Sequence, residues 1–284
     1  MQNEMKLVHT VSEARNIIKE WKKEGLTVGL VPTMGYLHDG HKSLIDRAVK
    51  ENDRVVVSIF VNPIQFGQNE DLSVYPRDIN RDSELCEKAG ANLIFNPEPS
   101  EMYASNFSTY VDAGTPEHEL CGKSRPIHFR GVCTVVSKLL HVATPDKAYF
   151  GQKDAQQIAV VRRMVRDLNI DSEIISCPIV RESDGLAKSS RNVYLSADER
   201  KAATILHKAL TEGEKMVKAG EKDCSKIIAK VSNIINTEPL AKIDYVQVVS
   251  YPNIEVIDKI EGSILTAVAV YIGKTRLIDN FIIE

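Results

Sequence analysis

The chain has 284 residues, a formal net charge of -3, and 43% hydrophobic against 26% charged residues. That length can bury a large core in one domain or two. The charge lacks the clustered basic face of a nucleic-acid binder, no apolar run reaches membrane-spanning length, and Met1 to Thr10 holds no signal-peptide core.

In chain order, a helix is predicted over Ser12–Lys23, with Ser12 as its cap and Gly25 ending it. Thr27–Val31 reads as a buried strand. A turn from Pro32 to Gly40 leads to a helix over Gly40–Lys50, with Leu44, Ile45, Ala48 and Val49 facing inward. A strand follows at Arg54–Val61, a helix at Asp78–Ala89 closed by Gly90, and a strand at Asn92–Phe95. Beyond a loop-rich stretch, Pro97 to Arg130, come a helix (Val132–Val142), a strand (Ala148–Phe150), a helix (Ala155–Leu168) and a strand (Glu173–Val180). Strand–helix alternation of this kind makes an α/β fold, a Rossmann-like doubly wound parallel sheet.

The texture changes after Gly185. Ser196 to Glu199 is a capping box that opens one long helix towards Lys218, and a second helix runs from Ser225 to Ile235. Ile243–Val249, Leu265–Ile272 and Arg276–Ile283 alternate like an antiparallel sheet. The expectation is therefore two domains, 1–184 and a smaller α+β domain at 185–284. Five scattered cysteines (Cys86, Cys121, Cys133, Cys177 and Cys224) have no paired metal spacing. They suit small buried hydrophobes in a reducing cytoplasm.

Four stretches carry chemistry. The first, PTMGYLHDGH from Pro32 to His41, joins a strand to a helix. Helix amino ends present unpaired N–H groups and positive dipole, and so attract phosphate. Gly35 and Gly40 allow close backbone approach, and His38 and His41 share one side of the first helical turn. Two imidazole donors there could stabilise charge growing on a nucleotide's phosphates. The plainer alternative makes His38 a cap and His41 a surface residue. Zinc is a weaker reading, since two histidines are half a structural site.

The second stretch, SIFVNPIQFG, ends a strand with Asn62 and Gln65, neutral amides suited to hydroxyl and carboxylate oxygens. In the third, FGQKDAQQ, a strand end meets a helix start. It offers Lys153 for phosphate or ribose, Asp154 as cap and Gln157 one turn further on. The fourth, from Arg181 to Asn192, is a flexible, positively charged loop equipped to close over a polyphosphate, or simply a solvated linker.

The ordered succession PTMGYLHDGH, SIFVNPIQFG, YPRD, RPIHFRGV, FGQKDAQQ and DGLAKSSRNVYL resembles the pantothenate synthetase (pantoate–β-alanine ligase) family along nearly the whole chain. That family belongs to the wider His-x-Gly-His nucleotidylyl transferases. The resemblance implies that pantoate attacks ATP to give pantoyl-adenylate and pyrophosphate, after which β-alanine displaces AMP. It implies that Met34, Gly35, Tyr36, Leu37, His38, Asp39, Gly40 and His41 line the ATP site, with His41 catalytic. Gly151, Gln152, Lys153, Asp154, Val180, Lys188, Ser189, Ser190 and Arg191 would also hold the nucleotide. Gln65 and Gln157 would bind pantoate, and Gln65 β-alanine as well.

Two departures stand out, since many members carry an acidic residue in place of Gln152 and an acidic pair in place of Arg81-Asp82. Asp82 remains as the candidate to touch Mg2+. The implied partners are ATP, pantoate, β-alanine and a second copy of the chain in a homodimer, with neither nucleic acid nor membrane. A nucleotidyltransferase acting on a phosphate-bearing metabolite is the nearest rival. It would call for arginines where Gln65 and Gln157 stand. A nucleotide sensor without turnover would release no pyrophosphate.

Overall fold

The computed structural model describes residues 5–68, 70–114, 116 and 118–284. Along the chain run β1 (Lys6–Val8), α1 (Val11–Lys23), β2 (Val28–Thr33), α2 (Asp39–Glu51), β3 (Arg54–Ile59), α3 (Ile79–Ala89) and β4 (Leu93–Phe95). Next come α4 (Pro99–Met102), α5 (Cys121–Ser124), α6 (His128–Ala143), β5 (Lys147–Gly151), α7 (Ala155–Asp167) and β6 (Glu173–Cys177). The last elements are α8 (Ala197–Ala202), α9 (Ile205–Lys218), α10 (Cys224–Ile235), β7 (Ala241–Ser250), β8 (Ile264–Ile272) and β9 (Thr275–Ile283).

Contacts divide the chain into two compact units. The first comprises the described residues of Met1–Ala113, Arg125–Gln152 and Val160–Pro178. The second comprises those of Gly114–Ser124, Lys153–Ala159 and Ile179–Glu284. A division by compactness is thus not a single cut in the sequence. It gathers 114–124, 153–159 and 179–184 with the carboxyl-terminal residues.

In the first unit six strands form one sheet in the order β1-β4-β3-β2-β5-β6, every neighbouring pair parallel. From β2 the chain builds outward through β3 to β4, then returns to lay β5 on the opposite side of β2. That reversal is a topological switch point, where open parallel sheets leave a crevice at the strands' carboxyl ends. Val31, Val55, Val57 and Ile94 from the strands pack with Leu44, Ile45 and Ala48 of α2 and with Cys86 and Ala89 of α3. Each buried Val, Leu or Ile among them contributes about 1.5–3 kcal/mol by leaving water. The structure therefore bears out the doubly wound α/β sheet.

Several local readings change. The cap of α1 is Thr10, not Ser12: the Thr10 hydroxyl accepts from the Glu13 N–H, and the Glu13 carboxylate accepts in return from the Thr10 N–H. Val49 is 37% exposed and faces away from the core. The strand expected to reach Val180 ends at Cys177, just before Pro178, which has no N–H for a sheet. β1, pairing with β4 at the sheet edge, is an element the sequence reading lacked.

In the second unit β7, β8 and β9 form the expected antiparallel sheet. Its core joins Val246, Val248, Val268 and Val270 to Leu206 and Leu210 of α9 and to Ile227 and Val231 of α10. The single long helix expected after Ser196 is instead two. At their junction the Thr204 hydroxyl donates to the Lys201 carbonyl, and the Leu206 N–H reaches only to Ala203, a tighter three-residue turn. All five cysteines are free and buried, and no helix among the described residues is long and apolar enough to cross a membrane.

Candidate functional site

The first functional stretch leaves the carboxyl end of β2 at the switch point. The Thr33 hydroxyl donates to the Ser58 carbonyl of β3 at 2.8 Å and accepts from the Gly35 N–H at 3.2 Å, which ties the turn to the sheet. Gly35 has φ +86°, and a Cβ there would stand 3.0 Å from both the Asp82 carboxylate and Ile59. Only glycine suits that position.

The next two N–H groups are held by one side chain. The Asp82 carboxylate accepts from the Tyr36 N–H and the Leu37 N–H, each at 2.7 Å. Asp82 is 1% exposed, and burial pushes its carboxyl up while these two N–H groups pull it down. Arg81 adds a second hold, its guanidinium 4.5 Å from the centre of the Tyr36 ring. The sequence reading reserved Asp82 for magnesium. Both of its oxygens anchor the turn, each accepting a backbone N–H, and each keeps a further lone pair.

Helix α2 then begins with a reciprocal cap made of imidazoles. His38 Nδ1 accepts from the Gly40 N–H at 3.1 Å, and His41 Nδ1 accepts from the His38 N–H at 3.3 Å. A nitrogen that accepts carries no proton, so both rings are neutral with the proton on Nε2. The rings lie 4.1 Å apart, centre to centre. The two alternatives for His38 therefore coexist: it caps the helix, and capping sets it as an Nε2–H donor. Both donors stand at the amino end of α2, where dipole and N–H groups favour an anion.

Gln65 joins this turn. It ends a short 3₁₀ turn, Pro63–Gln65, is 7% exposed, and its Nε2 donates to the Met34 Sδ at 3.2 Å. The structure thus brings together Met34 and Gln65, from two separate stretches. Gly151 and Gln152 lie at the carboxyl end of β5, the parallel neighbour of β2.

The second unit holds the other residues singled out. Lys153 pairs with Asp154 at 3.2 Å, and its carbonyl accepts from the Asn280 side chain at 2.9 Å. Of two adjacent glutamines, Gln156 is buried and structural: its oxygen accepts from the Cys121 N–H and its amide donates to the Pro116 and Glu119 carbonyls. Gln157 is half-buried.

The stretch expected to be a flexible loop is a narrow hairpin. The Lys188 N–H donates to Val180 and the Glu182 N–H to Leu186, around a left-handed Gly185. Arg181 pins the hairpin through two bonds to the buried Asp279, at 2.6 and 3.0 Å. Lys188 pairs with Glu182 at 3.2 Å, and the Ser189 hydroxyl caps the 3₁₀ turn Ser190–Tyr194 by accepting from the Arg191 N–H.

Sequence reasoning singles out Asn62 but passes over the other residues behind Gln65. Tyr103, His128 and Gly131, together with Asn62, all reach it or its hydrogen-bond partners. Two of them, His128 and Gly131, lie within the RPIHFRGV block, whose motif alone names no role for them.

A sequence profile of the Pantoate-beta-alanine ligase family matches residues 6–282. A pantothenate synthetase of Clostridium acetobutylicum is 62% identical over 277 residues, 98% of this chain and 99% of that protein. A crystal structure of pantothenate synthetase from Thermus thermophilus superposes with a TM-score of 0.92 at 42% identity, covering 98% of this chain and 99% of that one. The pantoate–β-alanine ligase of Francisella tularensis, solved with β,γ-ATP and β-alanine, gives a TM-score of 0.80 at 33% identity, covering 98% and 97%. With a profile match that spans both compact units and the His38–His41 turn in place, the chain belongs to the pantoate–β-alanine ligase family.

Proposed function

We propose that this chain condenses pantoate with β-alanine to give pantothenate, using ATP. In the first step a pantoate carboxylate oxygen bonds to the α-phosphorus, the bond from that phosphorus to the β-phosphate oxygen breaks, and pyrophosphate leaves. In the second, the β-alanine nitrogen bonds to the acyl carbon, AMP leaves, and the amine loses a proton to solvent. The observation that carries this reading is the histidine pair, fixed as two Nε2–H donors at the amino end of α2, on the turn whose Met34 meets Gln65. Donors already oriented towards developing phosphate charge lower a barrier without reorganising.

In this reading Met34 to His41, with Gly151 and Gln152, are the nucleotide-binding residues of the first unit, and Lys153, Asp154, Val180 and Lys188 to Arg191 are those of the second. Gln65 and Gln157 take pantoate, and Gln65 also meets β-alanine. Magnesium accompanies ATP on its phosphates. The chain does not fit a protein cage for the ion, because no group of three His, Cys, Asp or Glu residues suits a metal among the described residues. The proposal includes a cytoplasmic location, which five free buried thiols suit, and a homodimer.

With ATP, pantoate and β-alanine together, AMP, pyrophosphate and the amide should form one for one. Formation of ADP and phosphate instead would overturn the adenylate route.

Gln65→Ala and Gln157→Ala should chiefly weaken pantoate. A lost hydrogen bond to a carboxylate is worth about 1.5–3 kcal/mol, roughly one to two decades of affinity. Calorimetry should show ATP binding nearly intact in both. Unchanged pantoate affinity would remove these residues from the acid's contacts.

A further inference from the structure

The Gln65 amide could in principle meet a ligand with either end. The groups behind it remove that choice. Asn62, 1% exposed, places its Nδ2 3.1 Å from the Gly131 carbonyl. A carbonyl only accepts, so the Asn62 amide has one possible orientation. Its second N–H then goes to Gln65 Oε1 at 2.9 Å, and its Oδ1 takes the Tyr103 hydroxyl at 2.7 Å. With Oε1 occupied, Gln65 turns Nε2 towards Met34.

The frame around this network is closely packed and hydrogen-bonded. A Cβ on Gly131 would come within 2.6 Å of the Gln65 Cα and the Ile64 carbonyl, so only glycine lets α6 approach this closely. His128 Nδ1 donates to the Gln65 carbonyl at 3.1 Å, while its Nε2 accepts from Arg125. Arg125 is itself paired with Glu70.

We infer that Tyr103 is a positioning residue for the acid substrate: its hydroxyl holds Asn62 in the orientation that the Gly131 carbonyl sets, and Asn62 in turn obliges Gln65 to present N–H and never an acceptor. The inference rests on the proposed contact between Gln65 and pantoate. It deepens that contact into a rule of selection, since the group facing Gln65 must be an acceptor oxygen such as a carboxylate or a hydroxyl lone pair. A thioether is a weak acceptor, so an incoming oxygen readily replaces the Met34 sulfur. A buried network with every member satisfied transmits such a preference, because reversing one amide leaves a neighbour unpaired.

The test is a double-mutant cycle read as the KM for pantoate in pyrophosphate–ATP exchange. Tyr103→Phe keeps the ring that packs against Phe60 and Phe107, at 6.2 and 4.9 Å, and removes only the hydroxyl. It should raise that KM roughly three- to tenfold, the effect of one hydrogen bond, with the KM for ATP unchanged and kcat within about twofold. In a Gln65→Ala background the same change should have no further effect, because coupled residues are not additive. Gln65→Glu, which puts an acceptor where the N–H stood, should raise the KM more than Gln65→Ala does.

Equal factors for Tyr103→Phe in both backgrounds would overturn the positioning role while leaving Gln65 in the acid's contacts. A Gln65→Ala enzyme with the parent's KM would overturn both.

Discussion

His41→Ala should lower the rate of adenylate formation by on the order of a hundredfold or more, the usual scale for removing one donor to a charged transition state. The His41 ring accepts the His38 N–H at Nδ1 and so holds its proton on Nε2. Its donor is therefore in place before any substrate arrives. Charge on the α-phosphate and the leaving pyrophosphate grows only as the bond breaks, so the loss should fall on kcat far more than on ATP affinity. Removing the ring also releases the His38 N–H, but His38 keeps its own cap on Gly40 and the helix should persist. The second step should be less affected, which preformed pantoyl-adenylate and β-alanine would show in a single turnover. A correctly folded variant that adenylates within a few-fold of the parent would return His41 to a surface role.

Asp82→Asn should be nearly as damaging, by a different route. The substitution is close to isosteric, yet one carboxylate oxygen becomes an NH2 facing a backbone N–H. Either Tyr36 or Leu37 then loses its acceptor, and two donors oppose one another in a site 1% exposed. Leaving a buried donor unsatisfied costs about 1–3 kcal/mol of stability. The turn that sets Gly35 and the two imidazoles would shift, and adenylation should fall more than tenfold. The magnesium concentration for half-maximal activity should stay where it is, while the melting temperature drops. An unchanged melting temperature with a raised magnesium requirement would instead make Asp82 a ligand of the ion.

Asp82 also shows where the sequence stops being legible. Runs such as Val55-Val56-Val57 and the caps at Asp78 and Ser196 are local signals, so the parallel sheet, most helices and the closing antiparallel sheet could be read directly. The histidine pair was legible for the same reason, because residues three apart on a starting helix must be neighbours. Asp82 lies 46 positions from Tyr36, and only the packing of α3 beside the β2 turn brings them together. The same holds for Tyr103 behind Asn62 and for Gly131 behind Gln65.

Where local signals competed, tertiary context decided. Thr10 and Ser12 could each cap α1, and Glu13 stands at the right distance for Thr10 alone. The Lys- and Ser-rich stretch after Val180 has the composition of a loose loop, but Arg181 finds Asp279 nearly 100 residues on and folds it into a hairpin. β1 has only three residues, too few for a periodic pattern to reveal.

The central claim is that the acid is adenylated before any amine is needed, by groups already oriented in the β2 turn. Isotope exchange between pyrophosphate and ATP tests it most directly. Pantoate and ATP alone should support exchange in the parent enzyme, and His41→Ala should slow it about as much as it slows adenylate formation. Exchange that appears only once β-alanine is added would contradict the stepwise reaction and the task assigned to the histidine pair.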